Sequence, residues 1–216
     1  ELGVTFQTGV DVGRDVTIAQ LRTQGFEAFY LAIGAQSGRS LGLEGEDAQG
    51  VLSGVEFVRS VNLGAETRLN GKVLVIGGGN VAIDVARSAA RLDAAEVSLY
   101  CLENAQEMPA SQDEVAEAEQ EGVHIHNGWG PAKILTKEGR VTGMVFRRCV
   151  SVWDENHRFA PKFDETDTVT VDADYVLLSI GQSIDWGQLL AGTQVKCKPN
   201  GTVLADAFTY QTDEPD

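Results

Sequence analysis

The hydrophobic residues in the middle of the chain alternate between continuous runs and helical stripes. The run Lys72–Ile76 predicts a buried strand, and three glycines end it. From Asn80 to about Leu92, polar side chains recur every three or four residues and apolar side chains lie opposite, which predicts an amphipathic helix on a sheet. A second strand is predicted at Glu96–Cys101. This order of strand, helix and strand indicates an α/β domain.

Capping residues and short apolar runs predict further helices and strands elsewhere along the chain. Three further helices are predicted to follow Thr17, Ser53 and Ser111 and to end near Gln24, Leu63 and Gly122. Further strands are predicted at Val4–Gln7, Phe29–Ile33, Val123–His126, Asp174–Ile180 and Val203-Leu204.

After Lys133 the pattern changes from strand and helix to strand and turn. Strands are predicted at Ile134–Lys137, Val141–Trp153 and Arg158–Phe163, with turn residues between them. Consecutive strands joined by short turns are typical of an antiparallel β-meander.

The glycine turn after the first central strand matches a dinucleotide-binding fingerprint. Gly77-x-Gly79-x-x-Ala82 follows a strand and opens a helix. Gly77 allows the sharp turn, Gly79 lets a pyrophosphate approach the backbone, and Ala82 lets helix and strand pack closely. Asn80 is expected either to cap the helix or to donate to a phosphate oxygen. The fold predicted is a Rossmann-type, three-layer α/β nucleotide-binding domain with a β-meander. The expected cofactor-binding residues here are Gly77, Gly78, Gly79, Asn80, Val81 and Ala82.

The second central strand runs into an acidic residue that bears on cofactor choice. Glu103 lies 21 residues after Ala82, where an acid accepts hydrogen bonds from the adenosine ribose and favours NAD(H) over NADP(H). Residues 92–132 include nine acids and no Lys or Arg, so a 2′-phosphate there would meet like charge. Two alternatives stay open: Glu103 is only a solvated acid, or Arg147 or Arg148 folds across the site and admits NADP(H).

Composition argues against several other classes of protein. The 216 residues include 32 acids and 17 bases, and a surface with net charge −15 repels nucleic acid and anionic lipid. The three cysteines form no CxxC pair, which argues against a disulfide framework or a CxxC redox centre. No apolar run is long enough to span a bilayer, and we expect a cytoplasmic protein. His124 and His126 share a strand face without further ligands at suitable spacing, so no metal site is expected.

Five stretches of the chain match a known family of oxidoreductases. They are Val75–Arg87, Glu107–Ser111, Leu178–Gln182, Leu31–Ala35 and Leu43–Asp47. Through them the chain resembles the small (beta) subunit of glutamate synthase and its relatives. These proteins are FAD- and NAD(P)-dependent oxidoreductases built from two dinucleotide-binding domains.

In such families the nicotinamide domain is inserted into the FAD domain, and the resemblance implies the same organisation here. The expected parts are a partial FAD-type segment at 1–69, an NAD(P)-binding Rossmann domain at 70–184, and a partial return segment at 185–216. Gly34 and Gly181 resemble the points where the chain crosses between domains. Gly181 and Gln182 would then lie near the nicotinamide end of the cofactor and complete the expected cofactor-binding set.

Two departures from the family narrow these expectations. NADPH-using relatives carry an Arg-Arg pair where this chain has Leu102-Glu103, which again favours NADH. No FAD fingerprint precedes residue 70, and the chain stops before the second FAD motif of the family. We therefore expect FAD in the full-length protein and not in this chain alone. The expected partners are the remainder of the FAD domain and an iron–sulfur domain or a large catalytic subunit.

The sequence thus predicts the NAD(H)-binding portion of a flavin-dependent oxidoreductase. The whole enzyme would pass hydride between NADH and FAD and on to a partner acceptor. Because the cofactors carry this chemistry, no catalytic residue is expected from the chain. Two alternatives remain: an NADPH-specific version of the same enzyme, and a non-catalytic module that senses nucleotides.

Overall fold

The chain divides into two compact units, one formed by residues 37–182 and the other by residues 1–36 with 183–216. The computed structural model describes residues 3–65 and 68–214. The helices are α1 (Ile18–Thr23), α2 (Gly54–Asn62), α3 (Asn80–Ala90) and α4 (Gln112–Gln120). The strands are β1 (Ser37–Gly38), β2 (Val51–Ser53), β3 (Lys72–Ile76), β4 (Glu96–Cys101), β5 (Val123–Asn127), β6 (Trp129–Lys137), β7 (Arg140–Trp153), β8 (Phe159–Asp172), β9 (Tyr175–Leu178) and β10 (Gln182–Ser183). No helix in the described ranges has the length and hydrophobicity needed to cross a membrane.

Five parallel strands form the central sheet of the unit at residues 37–182, in the order β2–β9–β3–β4–β5. Strand β3 pairs with β4 on one side and with β9 on the other. The chain therefore runs outward from β3 through β4 to β5 and then crosses back to β9. Such a reversal leaves a crevice at the carboxyl ends of the two strands beside it, where open α/β sheets bind their ligands.

Two apolar cores cover the two faces of this sheet. On one face, Val75 and Leu99 pack with Ile83 and other residues of the helices. On the other face, Ile76 and Tyr100 pack with residues of the antiparallel sheet β6–β7–β8. Helices, parallel sheet and antiparallel sheet are thus three successive layers. This arrangement confirms the Rossmann-type α/β fold with a β-meander.

Most of the predicted helices and central strands are confirmed. Strands β3 and β4 have the bounds expected from the sequence, and α3 ends two residues earlier than expected. Ser53 is the N-cap of α2, and Ser111 caps α4 by accepting a hydrogen bond from the amide of Glu114. In the other unit, Thr17 caps α1 and exchanges hydrogen bonds with Gln20. These elements were predictable because pattern and cap lie in the same short segment.

Three strands predicted for the unit formed by residues 1–36 and 183–216 are wrong. Val4–Gln7 and Phe29–Ile33 pair with no other strand among the residues that the structure describes. At Val203-Leu204 there is an isolated bridge to Cys197 and no strand. Apolar runs favour strands, but a strand also needs a neighbour that pairs with its backbone groups. The described residues supply none beside the first two segments and only a single bridge beside the third.

The unit that holds the parallel sheet begins earlier along the chain than the nucleotide domain expected from the sequence. Strand β2 pairs in parallel with β9, and α2 packs against α3. The sequence pattern does not predict β2, because three residues are too few to show a periodicity. Both β2 and α2 lie before residue 70, within the expected FAD-type segment. The chain passes between the two units within two residues of Gly34 and Gly181.

Helices α3 and α4 are joined by an ion cluster centred on Glu121. Arg87 donates to the Glu121 carboxylate at 3.1 Å from its Nε and also contacts Glu117 at 2.8 Å. Arg91 donates to the same carboxylate at 3.1 Å from its Nε. The hydrogen bonds from Arg87 and then from Arg91 lower the pKa of Glu121 from an ordinary 4.5 to about 2.

This cluster is expected to lose its contribution to stability in acid. Because the pKa of Glu121 is lowered by folding, the stabilisation is complete above about pH 4.5 and disappears as the pH falls toward about 2. The side chains of the cluster are partly exposed to solvent. We therefore expect the cluster to contribute only about 1 kcal/mol to the unfolding free energy at neutral pH. Urea unfolding of wild type and Glu121→Gln across this range measures it.

The exposed Glu119 on the same helix provides a matched control for that comparison. Glu119→Gln also removes one negative charge but should leave the unfolding free energy within about 0.5 kcal/mol of wild type. The same pH dependence in Glu121→Gln as in wild type would contradict the assignment.

Candidate functional site

The glycine turn between β3 and α3 lies at the switch point of the sheet. Gly77 has a φ of 142°, and a side chain on it would collide with the carbonyl oxygen of Ser179, just after β9. Gly79 is the N-cap of α3 with a φ of −91°, and a Cβ placed on it would meet no atom within 4 Å. The turn therefore touches the backbone that follows β9 on one side and leaves open space on the other.

The first turn of α3 presents free backbone donors next to this open space. The amides of Asn80 and Val81 are first-turn groups and have no acceptor within the helix. The amide of Ala82, by contrast, donates to the carbonyl oxygen of Gly79 at 2.9 Å. Ala82 is fully buried against the sheet, whereas Val81 is exposed. Free amides at the positive end of a helix form a site that can hold an anion such as a phosphate.

The side chain of Asn80 holds a neighbouring loop against the glycine turn. Its Oδ1 accepts a hydrogen bond from the amide of Ser111 at 2.9 Å, and the amide of Ala110 donates to the Gly78 carbonyl at 3.0 Å. Gly79, and not Asn80, occupies the N-cap of α3, and no side chain caps it. The prediction that Asn80 caps the helix is therefore wrong. The start of α4 is instead tied to the turn through Asn80.

The carboxylate of Glu103 reaches the same turn from the end of β4. Its Oε2 would lie 2.7 Å from a Cβ placed on Gly78, so any side chain at position 78 would displace it. The structure thus brings together the glycine turn, the first turn of α3 and Glu103. A carboxylate at this place can accept hydrogen bonds from hydroxyl groups of a ligand held at the turn.

Two arginines stack on aromatic rings close to the segment that ends in Glu103. The guanidinium of Arg148 lies 3.7 Å from the ring centre of Trp129, and that of Arg147 lies 3.9 Å from the ring centre of Phe163. We call these four residues the arginine–aromatic cluster. Sequence reasoning raised the two arginines as an alternative but did not identify the rings, because the pairing depends on how β6, β7 and β8 align.

The thiol of Cys101 lies close to the turn but is not a nucleophile. A Cβ on Gly78 would lie 3.1 Å from the Cβ of Cys101. Burial raises the pKa of this thiol to about 12, and Asn127 Nδ2 contacts its Sγ at 3.2 Å. The group is therefore protonated at neutral pH and acts as a packed, hydrogen-bonded side chain.

Of the two histidines of β5, His126 packs against an aromatic ring, whereas His124 is exposed. The ring of His126 stacks on Tyr100 with centroids 4.4 Å apart, and Tyr100 stacks in turn on Phe146. Burial, followed by the nearby His124, lowers the pKa of His126, which favours the neutral ring. Among the described residues, no group of three or more His, Cys, Asp or Glu side chains is placed to hold a metal ion.

At the other end of the switch point, Gly181 and Gln182 follow β9 and meet Arg39. The amide of Arg39 donates to the Gly181 carbonyl at 3.2 Å, and its Nε donates to the Gln182 carbonyl at 3.1 Å. Gly181 has a φ of 107°, and the Arg39 side chain covers the side where a Cβ would stand. Arg39 was missed by sequence reasoning because it lies in a Gly- and Ser-rich loop far from the fingerprint.

Comparison with known sequences gives a family and several curated relatives. The sequence pattern of the family described as "Pyridine nucleotide-disulphide oxidoreductase" matches residues 2–216. The chain is 36% identical to NADP(+)-dependent formate dehydrogenase subunit beta of Moorella thermoacetica, over 99% of this chain and 30% of that protein. It is also 36% identical to the glutamate synthase [NADPH] small chain of Halomonas elongata, over 98% of this chain and 48% of that protein. The chain therefore spans less than half the length of these relatives.

Comparison with solved structures shows the same fold at lower sequence identity. FprA of Mycobacterium tuberculosis in complex with NADPH matches 91% of this chain and 60% of its own, with a TM-score of 0.72 and 20% identity. The thioredoxin reductase of Lactococcus lactis matches 83% of this chain and 52% of its own, with a TM-score of 0.59 and 17% identity.

Proposed function

The chain belongs to the pyridine nucleotide-disulphide oxidoreductase family, and we propose that it is the nucleotide-binding portion of a flavin-dependent oxidoreductase. The whole protein would pass hydride between NADH and FAD and on to a partner acceptor. The two relatives named above are more than twice as long as the matched region. This activity is therefore proposed for a longer protein and not for the chain alone.

One observation carries the proposal: the glycine turn, the first turn of α3 and the Glu103 carboxylate meet at the switch point of the sheet. The open side of Gly79 fits a group that must approach the backbone closely, as a pyrophosphate does. The amides of Asn80 and Val81 would donate to its oxygens, and the positive end of α3 would stabilise its charge.

Residues on either side of the switch point would orient the remainder of the cofactor. On one side, Glu103 would accept hydrogen bonds from the adenosine ribose. On the other, Gly181 and Gln182 would lie beside the nicotinamide. When bound, the nicotinamide supplies the hydride and a flavin accepts it, so the chain contributes position and electrostatics. No acid, base or nucleophile is needed from the chain.

We propose NAD(H) as the cofactor in preference to NADP(H). The carboxylate of Glu103 lies on the glycine turn, where it would repel a 2′-phosphate. Arg147 and Arg148, the arginines of the nearby cluster, are each paired with a carboxylate, Glu165 and Asp167 respectively. The two relatives from Moorella and Halomonas carry NADP in their names, which favours the alternative. Cofactor choice is therefore the sharpest test of the role of Glu103.

We expect the chain to bind NADH more tightly than NADPH, and Glu103→Gln to reduce that preference. The amide keeps the shape of the carboxylate but loses its charge-assisted hydrogen bonds to the ribose, which should raise the Kd for NADH by about 10-fold. The Kd for NADPH should stay constant or fall, because the like charge is gone. Calorimetric titration of the wild-type chain and of Glu103→Gln with each nucleotide measures the four dissociation constants.

Glu107 provides the control for this comparison. It is an exposed acid in the same loop, and its carboxylate accepts a hydrogen bond from Asn104 and not from the glycine turn. Glu107→Gln should leave the ratio of the two dissociation constants within about twofold of wild type. Tighter binding of NADPH than of NADH by the wild-type chain would overturn the proposed role of Glu103.

We propose that the unit formed by residues 1–36 and 183–216 is completed by the remainder of an FAD-binding domain. Support comes from large aromatic side chains that are exposed in this unit: Phe6 is 86%, Tyr30 92% and Phe208 91% exposed. The names of the relatives include "subunit beta" and "small chain", which supports a further partner such as an iron–sulfur or large catalytic subunit.

The proposed compartment is the cytoplasm, because the three cysteines are free thiols.

Purification of the full-length gene product tests the proposed function. It should contain flavin, detectable by its absorbance of visible light, and reduce an artificial acceptor such as ferricyanide when NADH is added. A full-length protein without flavin and without NADH-dependent reduction of the acceptor would instead favour a nucleotide-sensing module.

A further inference from the structure

The arginine–aromatic cluster adjoins the strand end that carries Glu103. The amide of Gly128, which follows β5, donates to the Glu103 carbonyl at 2.9 Å, and a Cβ on Gly128 would lie 3.4 Å from Arg148 Nη1. A Cβ on Gly130 would collide with the ring of Phe163 and lie 2.9 Å from Leu102 Cδ2. Because Gly128 and Gly130 have no side chains, the cluster can pack closely beside Leu102-Glu103.

An irregularity in the antiparallel sheet supplies an acidic partner for each arginine. Arg147 is paired in register with Thr168, but the next residue, Arg148, is paired with Asp164. The residues between them on β8, Glu165–Asp167, therefore have no partners on β7. Such bulges re-aim side chains beside functional sites.

We infer that the two bulge carboxylates, Glu165 and Asp167, are specificity-determining residues that keep the site selective for NADH by occupying the two arginines. Asp167 accepts a hydrogen bond from Arg148 Nε at 3.1 Å, and Glu165 accepts one from Arg147 Nη1. The inference rests on the proposed function, because it concerns which nucleotide the same site prefers.

The physical reason lies in what remains when a carboxylate is removed. Each guanidinium contacts both its aromatic ring and its acid, and the negative carboxylate opposes the attraction of the guanidinium for a further anion. Without Asp167, Arg148 would keep its cation–π contact with Trp129 and so stay in place beside Gly128, but with an uncompensated charge. A positive group next to the ribose site attracts a 2′-phosphate dianion and has little effect on a ribose hydroxyl.

Nucleotide titrations of the 216-residue chain test this inference. Asp167→Asn should lower the Kd for NADPH by about 3- to 10-fold and change the Kd for NADH by less than about twofold. The double variant Glu165→Gln/Asp167→Asn should show a larger gain, and the gain should shrink as salt is raised, because salt screens partly exposed charges. Adding Arg148→Gln to Asp167→Asn should restore the ratio of the two constants to that of wild type.

A control variant separates this effect from a general change in net charge. Glu155 lies in the turn between β7 and β8 and forms no ion pair with an arginine in the described part of the chain. Glu155→Gln should leave the ratio unchanged. An unchanged ratio in Asp167→Asn and in the double variant, or an equal shift in Glu155→Gln, would overturn the inference. Failure of the wild-type chain to bind either nucleotide would instead overturn the proposed function.

Discussion

The Gly79→Val variant is expected to remain folded and to bind NADH at least about 100-fold more weakly than wild type. Gly79 has a φ of −91° and a ψ of 172°, an extended conformation that valine adopts readily. A Cβ there has no neighbour within 4 Å, so the isopropyl group would extend into open space beside the first turn of α3. That is the space in which the pyrophosphate would approach the backbone.

Two measurements on the same sample separate binding from folding in this variant. Far-ultraviolet circular dichroism and the urea midpoint should match wild type, whereas calorimetric titration should show the loss of NADH binding. Gly79→Ala adds a single methyl group at the same position and should give an intermediate loss of about 3- to 10-fold. Unchanged NADH affinity in Gly79→Val would refute the assignment of the phosphate site.

At Gly77, two residues before Gly79, the opposite result is expected: Gly77→Ala should destabilise the fold by more than about 3 kcal/mol. The φ of 142° is a conformation that alanine avoids, and its Cβ would collide with the carbonyl oxygen of Ser179. This oxygen belongs to the backbone just after β9, so it cannot rotate away as a side chain would. Relief of the collision would require the carboxyl ends of β3 and β9 to separate.

Gly122 offers a control that isolates the collision from the cost of the backbone conformation. It has a φ of 88°, and a Cβ there would have no atom within 4 Å. Gly122→Ala should therefore cost only about 1 kcal/mol. Urea unfolding followed by circular dichroism compares the two variants. A loss in Gly77→Ala no larger than that in Gly122→Ala would contradict the close approach of the turn to β9.

The elements that could be predicted from the sequence are those whose signals are local. Strand β3 and helix α3 have a continuous apolar run and an amphipathic stripe of adequate length. Strand β2 could not be predicted, because it has three residues and is defined by its pairing with β9. Phe29–Ile33 shows the converse error: its composition favours a strand, but no neighbour pairs with it in the described residues. Pairing is a property of distant segments, which a single sequence does not reveal.

The same distinction between local signals and pairing of distant segments applies to the candidate site. The glycine turn and Glu103 could be predicted to lie together, because one strand–helix–strand unit fixes their separation. The environment of Arg147 and Arg148 could not, since it depends on a shift of register between β7 and β8. No periodicity in the sequence indicates that Glu165 and Asp167 lie in that shift.

The hydrogen bonds of Arg39 to Gly181 and Gln182 hold together the two places where the chain enters and leaves the unit of residues 37–182. In the proposed organisation, where this unit is inserted into an FAD-type domain, it would act as a surface loop whose ends already meet. The entropy cost of bringing the ends of a flexible loop together rises only slowly with the length of the loop. A whole nucleotide domain could therefore be gained, lost or exchanged at this point during evolution at little cost to the folding of its host.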